Sequence, residues 1–136
     1  MSTKQKQYTL HHEWVLLKEE EINGLIGIIG ITKHALEEIG EVVFLKLPEV
    51  GEAFSAGEEV AILESTKAAV DLYAPLSGVV VGVNEAILDV EGKGLDLLNL
   101  DPEEKGWLFK ITPSFLEGEE ESLLTKAEYE EMIESV

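Results

Sequence analysis

Between Val60 and Leu72 the chain reads VAILESTKAAVDL, in which a single lysine, Lys67, separates two short apolar runs. Short runs of this kind, bounded by Gly, Pro and Ser, are typical of β-strands. Lys67 lies ten positions after Gly57 and eleven before Gly78, so two turn signals flank it almost symmetrically. The pattern predicts a β-hairpin with Lys67 at its tip, where another enzyme could reach the amine.

Lys67 is also isolated from other positive charges, because no other basic residue occurs between Lys46 and Lys93. Its immediate neighbours, Thr66, Ala68 and Ala69, have small side chains. An amine presented in this way is typical of a site of covalent modification. The alternative is an ordinary solvent-exposed lysine in a turn.

The composition narrows the class of protein. The 136 residues predict one domain, 1–136, with a polar N-terminal tail over 1–7. Ten Lys, no Arg and 28 Asp and Glu give a net charge of −18, which argues against nucleic acid as a partner. The charge fits either steering toward partners with basic faces or simple solvation of the surface. No cysteine is present, so any redox sulfur must arrive on a cofactor.

No segment of the sequence indicates membrane insertion or export. The longest near-continuous apolar stretch, Gly24 to Ile31, is far too short to span a bilayer. The first seven residues lack both the apolar core of a secretory signal and the arginines of a transit peptide. We therefore expect a cytoplasmic protein without a membrane partner, and we expect it to be a monomer.

Strand and helix signals predict a mostly β domain with a short inserted helix and a C-terminal helix. Thr32 is placed to cap a helix that ends at Gly40, and Thr125 with Glu128 has the spacing of a capping box that opens a helix within 125–135. Asn23-Gly24 favours a two-residue hairpin turn. The predicted strands are Tyr8–Leu17, Leu25–Ile31, Val42–Leu47, the two strands of the lysine hairpin, Val79–Val83 and Gly106–Ile111, and Gly92-Lys93-Gly94 is predicted to be a flexible turn.

Seven separated segments together match, in order, the pattern of one known family. They are HEWV (12–15), GITKHAL with IG (30–36 and 39–40), VFLKLPEVG (43–51), ESTKAA (64–69), YAPLSG (73–78), VNEA (83–86) and GWL (106–108). By these segments the chain resembles the H protein of the glycine cleavage system, a lipoyl carrier with a barrel-sandwich hybrid fold. The resemblance extends over roughly Tyr8 to Ile133.

The residues around Lys67 distinguish this resemblance from related carriers. Biotin carriers place methionine on both sides of the lysine, and lipoyl domains of 2-oxo acid dehydrogenases usually place aspartate before it. Here Thr66 precedes Lys67, where the H-protein pattern usually has valine; both are β-branched, so we expect little change in the hairpin. The resemblance implies that Lys67 carries lipoate, attached by a lipoate ligase or a lipoyl or octanoyl transferase.

The resemblance also implies a cycle in which the carrier itself catalyses no step. The arm collects an aminomethyl group at glycine decarboxylase (P protein) and presents it to the aminomethyltransferase (T protein). Dihydrolipoamide dehydrogenase (L protein) then reoxidises the dithiol. The alternatives are a lipoyl relay or donor for 2-oxo acid dehydrogenase subunits and a non-lipoylated H-like binding module. An autonomous enzyme is the least expected class.

In the family, carboxylates line a cleft that shelters the loaded arm, and these positions map onto Glu13 and Asp71. The third position, which often has a small polar side chain, is His11 here. The alternative for Glu13 and Asp71 is an ordinary exposed carboxylate on a strand. We expect no metal site, because the side chains of His11 and His12 would point to opposite faces of a strand and His34 lies in another segment.

Two further features of the sequence complete the prediction. Trp14 and Trp107 are expected to be core aromatics. Residues 87–94 form a connection that is longer than is usual in the family and richer in glycine. Such a connection could alter the choice of partner, or it could be a harmless surface insertion.

Overall fold

The computed structural model describes residues 5–88, 93–114 and 118–134, and the fold is mostly β, as predicted. Its strands are β1 Gln7–Tyr8, β2 Glu13–Glu20, β3 Gly24–Ile31, β4 Val42–Lys46, β5 Ala53–Phe54, β6 Glu59–Ser65, β7 Ala69–Tyr73, β8 Gly78–Val83 and β9 Phe109–Pro113. Its helices are α1 Lys33–Ile39, α2 Gly94–Leu100 and α3 Lys126–Glu134, with 3-10 turns at Glu85–Leu88 and Glu120–Ser122.

The strands form two antiparallel sheets. The larger has six strands in the order β1-β2-β3-β9-β8-β5, and the smaller has three in the order β4-β6-β7. The β6–β7 hairpin, with Leu63 opposite Val70 and Glu64 opposite Ala69, belongs to the smaller sheet. This two-sheet arrangement is the predicted barrel-sandwich hybrid.

Two apolar clusters form the core of the described residues. The larger lies between the sheets and includes Val15, Leu63, Leu76 and Phe109. The smaller joins Trp14 to Tyr8 and Tyr129. Trp14 is buried as predicted, and its indole N–H donates to the carbonyls of Ile31 and Pro102.

Both predicted helix-capping signals are confirmed. The Thr32 hydroxyl accepts a hydrogen bond from Ala35 N at 3.1 Å, and Gly40 ends α1 with φ 86°. Thr125 and Glu128 form the reciprocal capping box, with Glu128 N donating to Thr125 Oγ1 at 3.1 Å and Thr125 N donating to Glu128 Oε1 at 2.9 Å. The longest described helix, α3, has nine residues, and none of the described helices could span a bilayer.

Four local predictions were wrong, the first being the strand predicted over Gly106–Ile111, which begins only at Phe109. The predicted strand Tyr8–Leu17 is interrupted, because a turn over 9–12 separates β1 from β2 and puts Gln7, assigned to the tail, in β1. The turn between β2 and β3 has three residues, since Glu20 pairs with Gly24 and Gly24 takes the left-handed conformation, φ 69°. The predicted turn at Gly92-Lys93-Gly94 is wrong at Gly94, which is the first residue of α2. Residues 89–92, which include Gly92 and part of the long connection, lie outside the described residues.

Packing explains why α2 forms without a strong local signal. Asn99 is tied to the main chain of Val42, accepting from its N–H at 2.9 Å and donating to its carbonyl at 3.1 Å. Leu98 on the same helix is fully buried. A helix this short needs such tertiary contacts to persist.

Candidate functional site at the lysine hairpin

Lys67 lies where the sequence predicts it, exposed in the turn between β6 and β7. Ser65 organises this turn through its hydroxyl oxygen, which accepts hydrogen bonds from Lys67 N and Ala68 N, both at 3.0 Å. Ser65 N also donates to the Ala68 carbonyl at 2.8 Å. The main chain at the tip is therefore ordered, while the small side chains of Thr66, Ala68 and Ala69 are exposed.

The side chain of Lys67 lies beside the end of α1. A Cβ atom added at Gly40 would lie 3.7 Å from both Cδ and Cε of Lys67, in ordinary van der Waals contact with the lysine. Among the described residues the ion pairs join His34 to Glu38 and Lys110 to Glu20, and none involves Lys67. The Lys67 amine therefore has no carboxylate partner among the described residues.

Glu13 is buried, with 1% of its surface exposed, and it is not the exposed carboxylate of the alternative prediction. Its Oε1 accepts from the Thr9 hydroxyl and its Oε2 from Tyr73 N, each at 2.9 Å. Burial raises the pKa of the Glu13 carboxyl above its ordinary value, and these two hydrogen bonds oppose that rise. Glu13 therefore connects β2 of the larger sheet to β7 of the smaller one.

The structure places Asp71 and His11 differently. The rings of His11 and Tyr73 are in contact, with centroids 4.7 Å apart, and His11 and Glu13 line one cleft of about 310 Å³ with Ala74 and Pro75. Asp71 is exposed on β7, two residues before Tyr73, and does not line that cleft. By strand alternation, Asp71 and Tyr73 have their side chains on the same face.

The geometry assumed for the histidines was wrong. His11 and His12 lie in the turn before β2 and not on a strand, and His12 has a positive φ of 67°. His34 is close to His12 despite its distance in sequence, with ring centroids 4.8 Å apart. Burial is the main cause that lowers the pKa of His12, and the neighbouring His34 lowers it further.

Sequence reasoning missed three residues of this region. Ser65 carries a local signal, because a serine just before a turn commonly accepts main-chain hydrogen bonds. Thr9 is similar, since its hydroxyl accepts from Glu13 N at 3.1 Å and from His11 N at 3.2 Å. Tyr73 contributes its main-chain N–H to Glu13, and no side-chain pattern could have revealed that contact.

Known proteins resemble this chain over almost its whole length. Residues 6–136 match the family model described as glycine cleavage H-protein. The chain belongs to the glycine cleavage H-protein family. The glycine cleavage system H protein of Thermotoga maritima is 50% identical over 128 residues, which are 94% of this chain and 95% of that protein. The protein of the same name from Legionella pneumophila strain Corby is 46% identical over 127 residues, 93% of this chain and 94% of the relative.

A solved structure extends the family likeness to three dimensions. The crystal structure of a glycine cleavage system H protein from Mycobacterium marinum superposes with a TM-score of 0.79 at 37% identity, covering 98% of this chain and 99% of that one. The family is the lipoyl carrier component of the glycine cleavage system, and this chain has that carrier role. The relay and the non-lipoylated module are not favoured by these relatives.

Proposed function

We propose that the Nζ of Lys67 is the attachment point of lipoate and that the chain carries this arm between the enzymes of glycine cleavage. The observation that carries the proposal is the exposed position of Lys67 at the tip of the β6–β7 hairpin, in a chain of the H-protein family. The unprotonated amine attacks the activated carboxyl of lipoate, an amide C–N bond forms, and the activating group leaves.

The residues at the tip fit an acyl arm. The hydrogen bonds to Ser65 hold the turn in one conformation, so the modifying enzyme meets a preformed backbone and not a mobile loop. The neighbouring side chains are small and exposed, and the space beside Gly40 is open to the methylenes of Lys67. These features leave room for an enzyme to approach the amine and for an acylated lysine to project from the body.

When attached, the dithiolane supplies the thiol chemistry and redox sulfur that this cysteine-free chain lacks. The chain contributes presentation and shelter and supplies no catalytic group of its own. On this proposal its partners are the P, T and L proteins of glycine cleavage, together with a lipoate ligase or a lipoyl or octanoyl transferase. The net charge of −18 favours partners whose docking faces are basic.

We further propose that Glu13, Asp71 and His11 form the sheltering surface, with different roles. Asp71 is exposed and four residues from Lys67, so it is a carboxylate accessible to a cationic amine near the hairpin. Each Glu13 oxygen accepts one hydrogen bond, and a carboxylate has about four lone-pair sites, so acceptor capacity remains at the cleft it shares with His11. His11, packed on Tyr73, bounds that cleft.

The attachment site is tested by incubating the protein with a lipoate ligase, ATP and lipoate, followed by intact mass measurement and peptide mapping. We expect one lipoyl adduct, on Lys67, and none on Lys67→Gln. Lys46→Gln is the matched control, because Lys46 is also an exposed lysine of the smaller sheet. An adduct that persists in Lys67→Gln, or an unmodified protein beside a modified control lipoyl domain, would refute the assignment.

The carrier role is tested on the lipoylated protein with P protein, glycine and labelled bicarbonate, by following isotope exchange into glycine. We expect exchange that saturates with the lipoylated chain and is absent with Lys67→Gln. If the chain is lipoylated on Lys67 but supports no exchange with an active P protein, the attachment site stands and the role in glycine cleavage is refuted.

A further inference from the structure

Three side chains capable of binding a metal meet on the side of α1 that faces the turn before β2. They are His12, His34 and Glu38, and their ligand atoms all lie within 4.8 Å of one another. His34 Nε2 and Glu38 Oε1 are 2.6 Å apart, and the rings of His12 and His34 have centroids 4.8 Å apart. The cluster is separate from the lysine hairpin, although His12 and His34 lie in two of the segments that match the family.

The scaffold brings two ligands from one helix and one from a separate segment. His34 and Glu38 are four residues apart on α1, so they share a helix face. His12 comes from the turn before β2, and its carbonyl accepts a hydrogen bond from Thr32 N, the residue that caps α1, at 3.0 Å. His12 is the one non-glycine residue with a positive φ among those the structure describes. The turn and the helix are thus joined at the point where the three side chains converge.

The hydroxyl groups of Tyr129 and Thr32 orient His12. Its Nδ1 lies 2.7 Å from the hydroxyl of Tyr129, and that hydroxyl is 2.8 Å from Thr32 Oγ1. Tyr129 is buried, with 4% of its surface exposed. When Nδ1–H donates to the Tyr129 oxygen, the lone pair of Nε2 is left as the ligand, and histidines that bind metals are commonly oriented by such a partner on the other ring nitrogen.

The donor set fits a divalent transition-metal ion. Two imidazoles and one carboxylate form the protein ligands of several zinc sites, with a fourth position left for solvent or another ligand. Ligand atoms of a tetrahedral zinc site are about 3.4 Å apart, given Zn–N and Zn–O distances near 2.1 Å. The ligand atoms of the three side chains, which lie within 4.8 Å of one another, reach that spacing with modest side-chain rotation. Glu38 is exposed and His34 is half-buried, so both side chains remain accessible to an ion from solvent.

We propose that His12, His34 and Glu38 form a binding site for one divalent transition-metal ion such as Zn²⁺. This revises the expectation of no metal site, which assumed that His34 stays apart from His12. The simpler account, an i,i+4 contact between His34 and Glu38 on a solvated helix face, leaves the third ligand and its buried tyrosine partner unused. A bound ion would fix α1, which ends beside Lys67, to the turn before β2.

The test is a calorimetric titration of Zn²⁺ into the unacylated full-length chain at neutral pH in a non-coordinating buffer. We expect one site per chain, whose affinity falls at least roughly tenfold in His34→Gln and in Glu38→Gln, because loss of even an outer partner costs about 10–100-fold. Glu37→Gln is the matched control for Glu38→Gln: it also removes one exposed carboxylate of α1, but one that is outside the cluster. Its affinity should equal that of the parent chain.

Spectroscopy with Co²⁺ alone gives a second readout that general binding by acidic residues would not reproduce. We expect the visible bands of a four-coordinate Co²⁺ with nitrogen ligands, displaced by Zn²⁺, and weaker binding in Tyr129→Phe, which removes the partner of His12 Nδ1. Circular dichroism of each metal-free variant checks that it is folded. Equal Zn²⁺ affinity in the parent, His34→Gln and Glu38→Gln would overturn the site, as would a loss in Glu37→Gln of the same size.

Discussion

The carboxylate of Glu13 on β2 accepts a hydrogen bond from the main-chain N–H of Tyr73 on β7 at 2.9 Å, and this contact joins the two sheets. Tyr73 is at the end of the hairpin that presents Lys67, six residues after it. A buried carboxylate at this position therefore has a structural role in holding the hairpin, in addition to the sheltering role that we propose. The two roles respond differently to substitution.

Glu13→Ala is expected to lower the free energy of unfolding by about 1–3 kcal/mol relative to Glu13→Gln at neutral pH. Alanine removes the acceptor of the part-buried Tyr73 N–H, whereas the side-chain oxygen of glutamine can still accept from Tyr73 N. Urea denaturation of both variants measures the difference. Equal stability of the two variants would show that the contact between the sheets contributes little.

The same carboxyl should make stability depend on pH. Because burial raises the pKa of Glu13 in the folded protein above the unfolded value of about 4.5, the folded state holds this proton more tightly. The contribution of Glu13 is therefore greatest below pH 4.5 and is lost as pH rises through the folded pKa. The parent chain should lose stability relative to Glu13→Gln over that interval, measured by urea denaturation with a chelator present. A difference that stays constant with pH would contradict this.

Features with local signals could be predicted from the sequence. The lysine hairpin follows from alternation and flanking glycines, and Thr32 with Gly40 and Thr125 with Glu128 mark helix ends by contacts within a few residues. The cleft and the histidine cluster could not be predicted in this way. Glu13 meets a main-chain group 60 residues away, and His12 meets Tyr129 across 117 residues, so no periodicity of the chain encodes either contact.

The interrupted first strand has the same physical explanation. The apolar pattern from Tyr8 onward continues across the turn, because Tyr8 and Trp14 are buried in the same cluster and are paired across β1 and β2. The break is made by Thr9, which uses its hydroxyl and main chain to close the turn over 9–12. A pattern of buried residues predicts which face is apolar and does not say where the chain reverses.

Ser65→Ala should disorder the tip of the hairpin without unfolding the sheet. The substitution removes the oxygen that accepts from Lys67 N and Ala68 N, and both groups are exposed, so water replaces it at a cost within about 1 kcal/mol. We expect faster amide hydrogen exchange at Lys67 and Ala68 and a slower rate of lipoylation. Thr66→Val, which restores the residue usual in the H-protein pattern, is the control and should change neither rate. Unchanged exchange in Ser65→Ala would show that the turn is held by the strands alone.

Gly40→Ala separates backbone strain from contact with the lysine. Gly40 and Gly57 both have a positive φ, 86° and 88°, so an alanine at either position is strained; at Gly40, where ψ is −169°, the backbone region is essentially restricted to glycine and the cost should be on the order of 1–3 kcal/mol. Only at Gly40 does the new methyl reach Lys67, at 3.7 Å, whereas a Cβ at Gly57 meets nothing within 4 Å. We therefore expect both variants to lose stability in urea denaturation, but a slower rate of lipoylation for Gly40→Ala alone. If both variants were lipoylated at the rate of the parent chain, the open space beside Lys67 would have no part in its modification.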